Sequence, residues 1–206
     1  MNQFDDSPDQ PPEEDLKNAF RAPYGNVLSF YLSGSIEEPQ AYSGWTHRIR
    51  SAQDTDLVMI FINSHGGSAA ATLQLINAIK STPAKVLVRV EGECMSAATM
   101  LLLAADMVEI SDHSIFMFHN FSGGAWGKGA EMKAQVDFLQ AWSTSLMEDV
   151  YAGFLSEGEI VAVLENKDIW MTAEEVRARL ERKAEYEASL REEEEKKASK
   201  TKKGSK

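Results

Sequence analysis

Three short apolar runs punctuate the first half of the chain: "VLSFYLS" from Val27, "DLVMIFI" from Asp56 and "AKVLVRVE" from Ala84. Runs of this length, rich in β-branched and aromatic residues, form strands. Helical patterns separate and follow them: "EEPQAYSGWTHRIRSA", then "SAAATLQLINAIKS" with Ser68 as its cap, then a third helix beginning at Ser96. Helical crossovers between successive strands are what parallel pairing requires. The repetition therefore constrains the chain to an α/β fold, with a parallel sheet covered on both faces. Two more short strands, "MVEIS" and "SIFMFH", come next. A glycine-rich stretch, "SGGAWGKG", precedes a long helix from about Glu131 to Phe154, a shorter helix at "EGEIVAVLE" and an extended piece at "KDIWM".

The two ends differ from this middle. Residues 1–22 are acidic, polar and proline-bearing, the composition of a flexible arm. From Thr172 the apolar residues thin out into a mixed-charge helix, and the last dozen residues, rich in lysine, are expected to be disordered. A net charge of −11 argues against nucleic-acid binding, which needs a basic face. No apolar run approaches the roughly 20 residues of a membrane span, and the acidic N-terminus shows no signal-peptide pattern. Cys94 is the one cysteine, which excludes an internal disulfide framework and suits a cytoplasmic location.

Ser96 lies on the seam between the third strand and its helix, in "GECMSAATMLLL". Serine is a favoured helix N-cap. A serine on a strand-to-helix turn also projects its hydroxyl beside unsatisfied helical N–H groups, which suits a nucleophile. A serine nucleophile needs a base, usually histidine. Four histidines are available. His47 falls in the middle of an early helix and His113 in a polar turn, both surface positions. His119 ends an apolar strand, at the sheet edge where α/β proteins carry function. His65 stands in "FINSHGGS", a glycine turn that reads either as an ordinary connection or as a ledge and backbone donor for an extended substrate.

Other chemistry finds little support. "GGAWGKG" lacks the spacing and the Ser or Thr of a phosphate loop. The histidines are scattered and Cys94 is alone, so no metal site is indicated, and Cys94 itself reads as a small buried hydrophobe. Phe138, Leu139, Trp142, Leu146, Val150 and Phe154 recur at helical spacing and read as core or subunit contact.

"FYLSGSIEE", "MIFINSHGGS", "GECMSAATMLLLAAD", "MFHNFSGGAWGKGAE" and "KDIWMTAEE" occur in an order that resembles the proteolytic subunit of the Clp protease, from Val27 to Glu175. The resemblance implies a spiral of ββα units, the fold shared with crotonases, with a protruding handle helix. It divides the chain into the arm, 1–22, a peptidase domain, 23–175, with its handle at 120–155, and a charged tail, 176–206. It makes Ser96 the nucleophile, His119 the general base and Asp168 the acid of a triad. The N–H groups of Gly67 and Ala97 match the oxyanion hole. Gly66, Ser68, Asn120, Ser122, Gly123 and Gly124 match positions that contact substrate, the last two in a segment (Gly123–Gly129) that clasps an extended peptide. The activity implied is endopeptidase, by acyl transfer without metal or organic cofactor, on peptide or protein substrates, within a homo-oligomer of stacked rings.

The departures from the family pattern matter as well. His65 replaces the proline before the two glycines, an acidic arm replaces the gating N-terminal segment, and a charged helix replaces the last strand. These changes argue against partnership with an unfoldase ATPase and bring to mind viral capsid-maturation peptidases. Two alternatives stand beside hydrolysis. One is a crotonase-like CoA thioester enzyme, with Glu93 as its carboxylate. The other is a structural subunit without activity. Signal peptide peptidases, which pair serine with lysine at membranes, fit less well because His119 suits a triad.

Overall fold

A computed structural model describes residues 25–203. The acidic arm expected at residues 1–22 lies outside the described residues. Six strands form one sheet: β1 Val27–Ile36, β2 Leu57–Gly67, β3 Lys85–Met95, β4 Met107–Ile110, β5 Ile115–Phe118 and β6 Ile169–Thr172. A 3-10 turn (Pro39–Tyr42) leads into α1 (Ser43–Arg50); α2 (Ala69–Ser81) and α3 (Ala97–Leu103) make the next two crossovers. The remaining helices are α4 (Gly129–Tyr151), α5 (Glu157–Leu164) and α6 (Ala173–Lys203).

The sheet order is β1-β2-β3-β5-β6, with β4 also paired to β3. All pairs are parallel except β5 with β6. The lower part of β3 pairs with β4 from Leu87↔Met107, and its upper part pairs with β5 up to Met95↔Met117. One face of this sheet carries the core. Phe30, Leu32, Val58, Ile60, Ile62, Val86, Val88 and Val90 are buried against Ile49 of α1, Leu75 and Ile79 of α2 and Leu101 and Leu102 of α3. Each such side chain stabilises the fold by about 1.5–3 kcal/mol through burial.

The opposite face is open within the described chain, which corrects the expectation of a sheet covered on both sides. Tyr31 is 64% exposed and stacks on Phe61 at 4.7 Å, and Arg89 pairs with Glu91 and Glu109. The cause is the period-2 alternation of β3, in which Lys85, Arg89 and Glu91 point away from Val86, Val88 and Val90.

Three element boundaries also differ from expectation. Pro39 holds the start of the first helical segment in a 3-10 turn, so α1 begins only at Ser43. The long helix stops at Tyr151 because Ala152 leaves helical geometry and Gly153 takes φ +74°, where an added Cβ would collide with Tyr186. Phe154 thus enters the core from outside the helix. The C-terminal segment is helical through Lys203, into the stretch expected to be disordered; residues 204–206 of that stretch lie outside the described residues. No glycine or proline interrupts it before Gly204, and i,i+4 pairs such as Glu192–Lys196 and Glu193–Lys197 support it.

Candidate active site

β3 leaves the sheet at Met95, and Ser96 makes the turn with φ 54° and ψ −130° before α3 begins at Ala97. That backbone is unfavourable for a residue with a Cβ, at a cost on the order of 1–3 kcal/mol. It is held by the Ser96 N–H, which donates to the Met117 carbonyl at 2.8 Å. The Ser96 hydroxyl makes no capping bond to α3, so the cap role read from sequence is overturned. The turn aims the hydroxyl elsewhere: Oγ lies 2.6 Å from Nε2 of His119.

Topology explains that meeting. β5 is the parallel neighbour of the upper part of β3, and with Met95 opposite Met117 the turn at Ser96 comes level with the end of β5, next to His119. β6 returns antiparallel along β5 with Phe118 opposite Ile169. The residues just outside that pair are His119 and Asp168, and Nδ1 of His119 lies 3.9 Å from Oδ1 of Asp168. This is a charge-pair distance, longer than a hydrogen bond.

The glycine pair that ends β2 packs directly under these residues. At Gly66, with φ +98°, a Cβ would lie 2.6 Å from Cβ of Ser96 and 2.8 Å from the Met95 carbonyl oxygen. At Gly67, with φ +149°, it would lie 2.3 Å from the Ile36 carbonyl oxygen. Ser64, fully buried, locks the turn by donating to the Gly34 carbonyl at 2.6 Å and accepting the Gly66 N–H at 3.1 Å. Ser68 caps α2 as expected, its hydroxyl accepting the Ala71 N–H.

A cavity of about 500 Å³ opens beside Ser96. Gly67, Ser68, Ser96, Ala97, His119, Asn120 and Ser122 line it, and Met100, Trp142, Leu146 and Met147 supply apolar walls. Gly66 lies beneath Ser96 rather than in the lining. Gly123 and Gly124 line a neighbouring cavity of about 360 Å³, which shares Asn120 and Phe121 with the first. Glu93, the carboxylate a thioester-enolate site would use, does not line the cavity. His47, His65 and His113 are exposed and away from it.

Two residues that sequence reasoning missed support the turn from below. The Thr99 hydroxyl donates to the Ser96 carbonyl at 2.7 Å, so its 2.8 Å contact with the Tyr151 hydroxyl is accepted from Tyr151. Burial pushes the Tyr151 phenol up to about 12, keeping it protonated and able to donate. Burial likewise raises the Cys94 thiol, which behaves as the small hydrophobe expected. Among the described residues no cluster of three His, Cys, Asp or Glu side chains is placed to hold a metal, and no helix is long and apolar enough to cross a membrane.

Comparison with known families matches residues 40–179 to the Clp protease family. Among individual proteins, the ATP-dependent Clp protease proteolytic subunit 3 of Rhodococcus jostii (strain RHA1) is 25% identical over 151 residues, which cover 71% of this chain and 74% of that protein. ATP-dependent Clp protease proteolytic subunits of Bacteroides thetaiotaomicron and Bacteroides fragilis (strain ATCC 25285) are each 28% identical over 122 residues, 58% of this chain. The match spans 56% and 59% of those two proteins.

Proposed function

From the premise that this chain belongs to the Clp protease family, we propose that it is a serine endopeptidase acting through Ser96, His119 and Asp168. The observation that carries this reading is the 2.6 Å contact between Ser96 Oγ and His119 Nε2 at a turn whose backbone is otherwise unfavourable. A hydroxyl held against an imidazole and lifted clear of its helix is the arrangement an acyl-transfer nucleophile needs.

In this mechanism Ser96 Oγ attacks the scissile carbonyl carbon while its proton passes to Nε2 of His119. The Gly67 and Ala97 N–H groups receive the oxyanion; Ala97 is the first residue of α3, where the N–H has no intrahelical partner. His119 then protonates the leaving amine as the C–N bond breaks, and leaves an ester on Ser96. Water, deprotonated by His119, attacks that ester and frees the acid and Ser96. Asp168 orients the imidazole and stabilises its protonated form. These steps consume no ATP and call on no metal or organic cofactor.

The substrate is a peptide or protein. The cavity beside Ser96 is walled by Met100, Trp142, Leu146 and Met147, which fits a large apolar side chain on the acyl side of the bond. The peptide backbone runs between the Gly66–Ser68 ledge and the Ser122–Gly124 segment. The relatives are named as proteolytic subunits of ATP-dependent proteases. The peptidase chemistry is what we carry to this chain, with the catalytic domain at residues 23–175 and a homo-oligomer as the working form.

The test is cleavage of fluorogenic peptides with a large apolar residue before the bond, by the parent and by Ser96→Ala. The variant is expected to lose about 10³-fold or more of the parent's turnover while keeping its assembly state. Cleavage undiminished in Ser96→Ala would overturn the assignment.

A further inference from the structure

The loop that carries Asp168 and the segment after β5 that carries His119 are joined by one side chain. Asn120 follows His119 directly, and its amide is fully engaged. Its Oδ1 accepts the Phe121 N–H at 2.8 Å, while its Nδ2 donates to the Leu164 carbonyl at 3.3 Å and to Asn166 Oδ1 at 3.4 Å. The Leu164 carbonyl is one of the last of α5, a group without an intrahelical partner.

The far side of this bridge is itself well ordered. The Lys167 N–H donates to the Ala162 carbonyl at 3.0 Å and the Asn166 N–H to that of Val163 at 2.9 Å, with Asn166 at φ 65°. That is a Schellman-type helix end, with asparagine in the left-handed position it tolerates. Asp168 follows two residues later, with its side chain 52% exposed, so the backbone rather than packing sets where the carboxylate sits. Its 3.9 Å separation from Nδ1 of His119 is about 1 Å longer than a hydrogen bond, so a small displacement decides whether the two groups engage.

We propose that Asn120 is a positioning residue, tying the end of α5, and with it Asp168, to the backbone beside His119, rather than the substrate contact its sequence position suggests. The β5–β6 ladder fixes Asp168 from one side through Ile169, and Asn120 fixes it from the other. This inference rests on the peptidase reading above, since it gives Asn120 a part in aligning that triad.

The test is saturation kinetics of a fluorophosphonate probe, read by intact-mass spectrometry. It needs no knowledge of the natural substrate, because the Ser96 oxygen bonds to phosphorus as fluoride leaves. The parent is expected to take one adduct and Ser96→Ala none. Asn120→Ala should lower the maximal labelling rate about tenfold at an unchanged half-saturating probe concentration. Asn120→Gln, which keeps donor and acceptor, should recover part of that loss. Asp168→Ala should be slower still, and adding Asn120→Ala to it should slow it no further, because both act through one alignment.

Three results would overturn the tether while leaving the peptidase intact: an Asn120→Ala variant that labels like the parent, one that raises only the half-saturating concentration, or losses that multiply in the double variant. Failure of Asn120→Gln to recover any rate in a protein with parental thermal stability would also count against it. A folded parent that takes no label would overturn the peptidase reading itself, and the tether with it.

Discussion

Ser96 owes its geometry to neighbours that pack against it and hydrogen-bond its turn. The Gly66 Cα faces the Ser96 side chain so closely that one methyl group would sit 2.6 Å from Ser96 Cβ. Gly66→Ala also asks an alanine to hold φ +98°. We expect that variant to lose about 2 kcal/mol or more of stability and most of its reactivity toward a fluorophosphonate, as measured by denaturant unfolding and probe labelling. Tyr151→Phe is a milder probe of the same turn. It deletes the bond from Tyr151 to Thr99 but leaves Thr99 bonded to the Ser96 carbonyl, so a loss of about 1 kcal/mol is expected in the same unfolding assay. Parental stability in Tyr151→Phe would mean that the contact contributes nothing. Ser96 and His119, which the fold brings into contact, could be singled out in the sequence because each stands where an apolar run meets a turn. Asp168 was visible only through the family resemblance, since its approach to His119 depends on antiparallel β5–β6 pairing across a sequence separation of 49 positions (168 − 119). Tyr151 and Thr99 left no signal at all: a helical tyrosine and threonine look alike in any core.

Among the elements, α5 matters beyond its eight residues because it sets the loop before Asp168. It is anchored to α6 by Arg179, whose two terminal nitrogens reach both oxygens of Glu159 at 2.7 Å. The guanidinium, helped by Ser156, holds the Glu159 carboxyl at about 2, well below its ordinary 4.5. A carboxyl depressed on folding contributes stability that is present above its unfolded value and is lost as pH falls through its folded one. Arg179→Met is therefore expected to destabilise the protein by about 1 kcal/mol at pH 7, and the gap to the parent should close between pH 4.5 and about 2. Unfolding curves across that range decide it, and a gap that persists at pH 2 would assign the loss to packing instead. The existence and order of the elements could be read from the sequence, because apolar runs and helical periods are local properties. Their extents could not. β2 and β3 run on through polar residues to Gly67 and Met95 because backbone pairing, not side-chain polarity, sustains a strand inside a sheet. The alternation in "KVLVRVE" was also present to be read, yet three valines and a leucine made it look like a strand buried on both faces.

At the scale of the whole molecule, apolar side chains are left uncovered on two prominent surfaces of the described residues. One is the outer sheet face with Tyr31 against Phe61. The other is the first part of α4 and the loop before it, where Val136 is 49%, Phe138 68% and Trp126 92% exposed. Surfaces of this kind on a chain that otherwise buries its core mark contacts with other molecules. The helix explains the difference between its halves: Ser143, Met147 and Tyr151 are buried against the body, whereas the first three turns, Phe138 among them, are largely exposed. The exposed part of α4 is therefore the surface on which the proposed homo-oligomer would make its main contact. The parent is expected to sediment as a species several times the 22.9 kDa chain, and Phe138→Asp to shift it to smaller species, because a carboxylate buried in an apolar contact has no partner there. Folding should survive the change, since Phe138 contributes little to the monomer's core. Tyr31→Asp is the control on the other surface. If it dissociates the assembly and Phe138→Asp does not, the contact lies on the open sheet, and α4 projects for another purpose. A parent that sediments as a monomer at micromolar concentration would leave both surfaces to partners other than this chain.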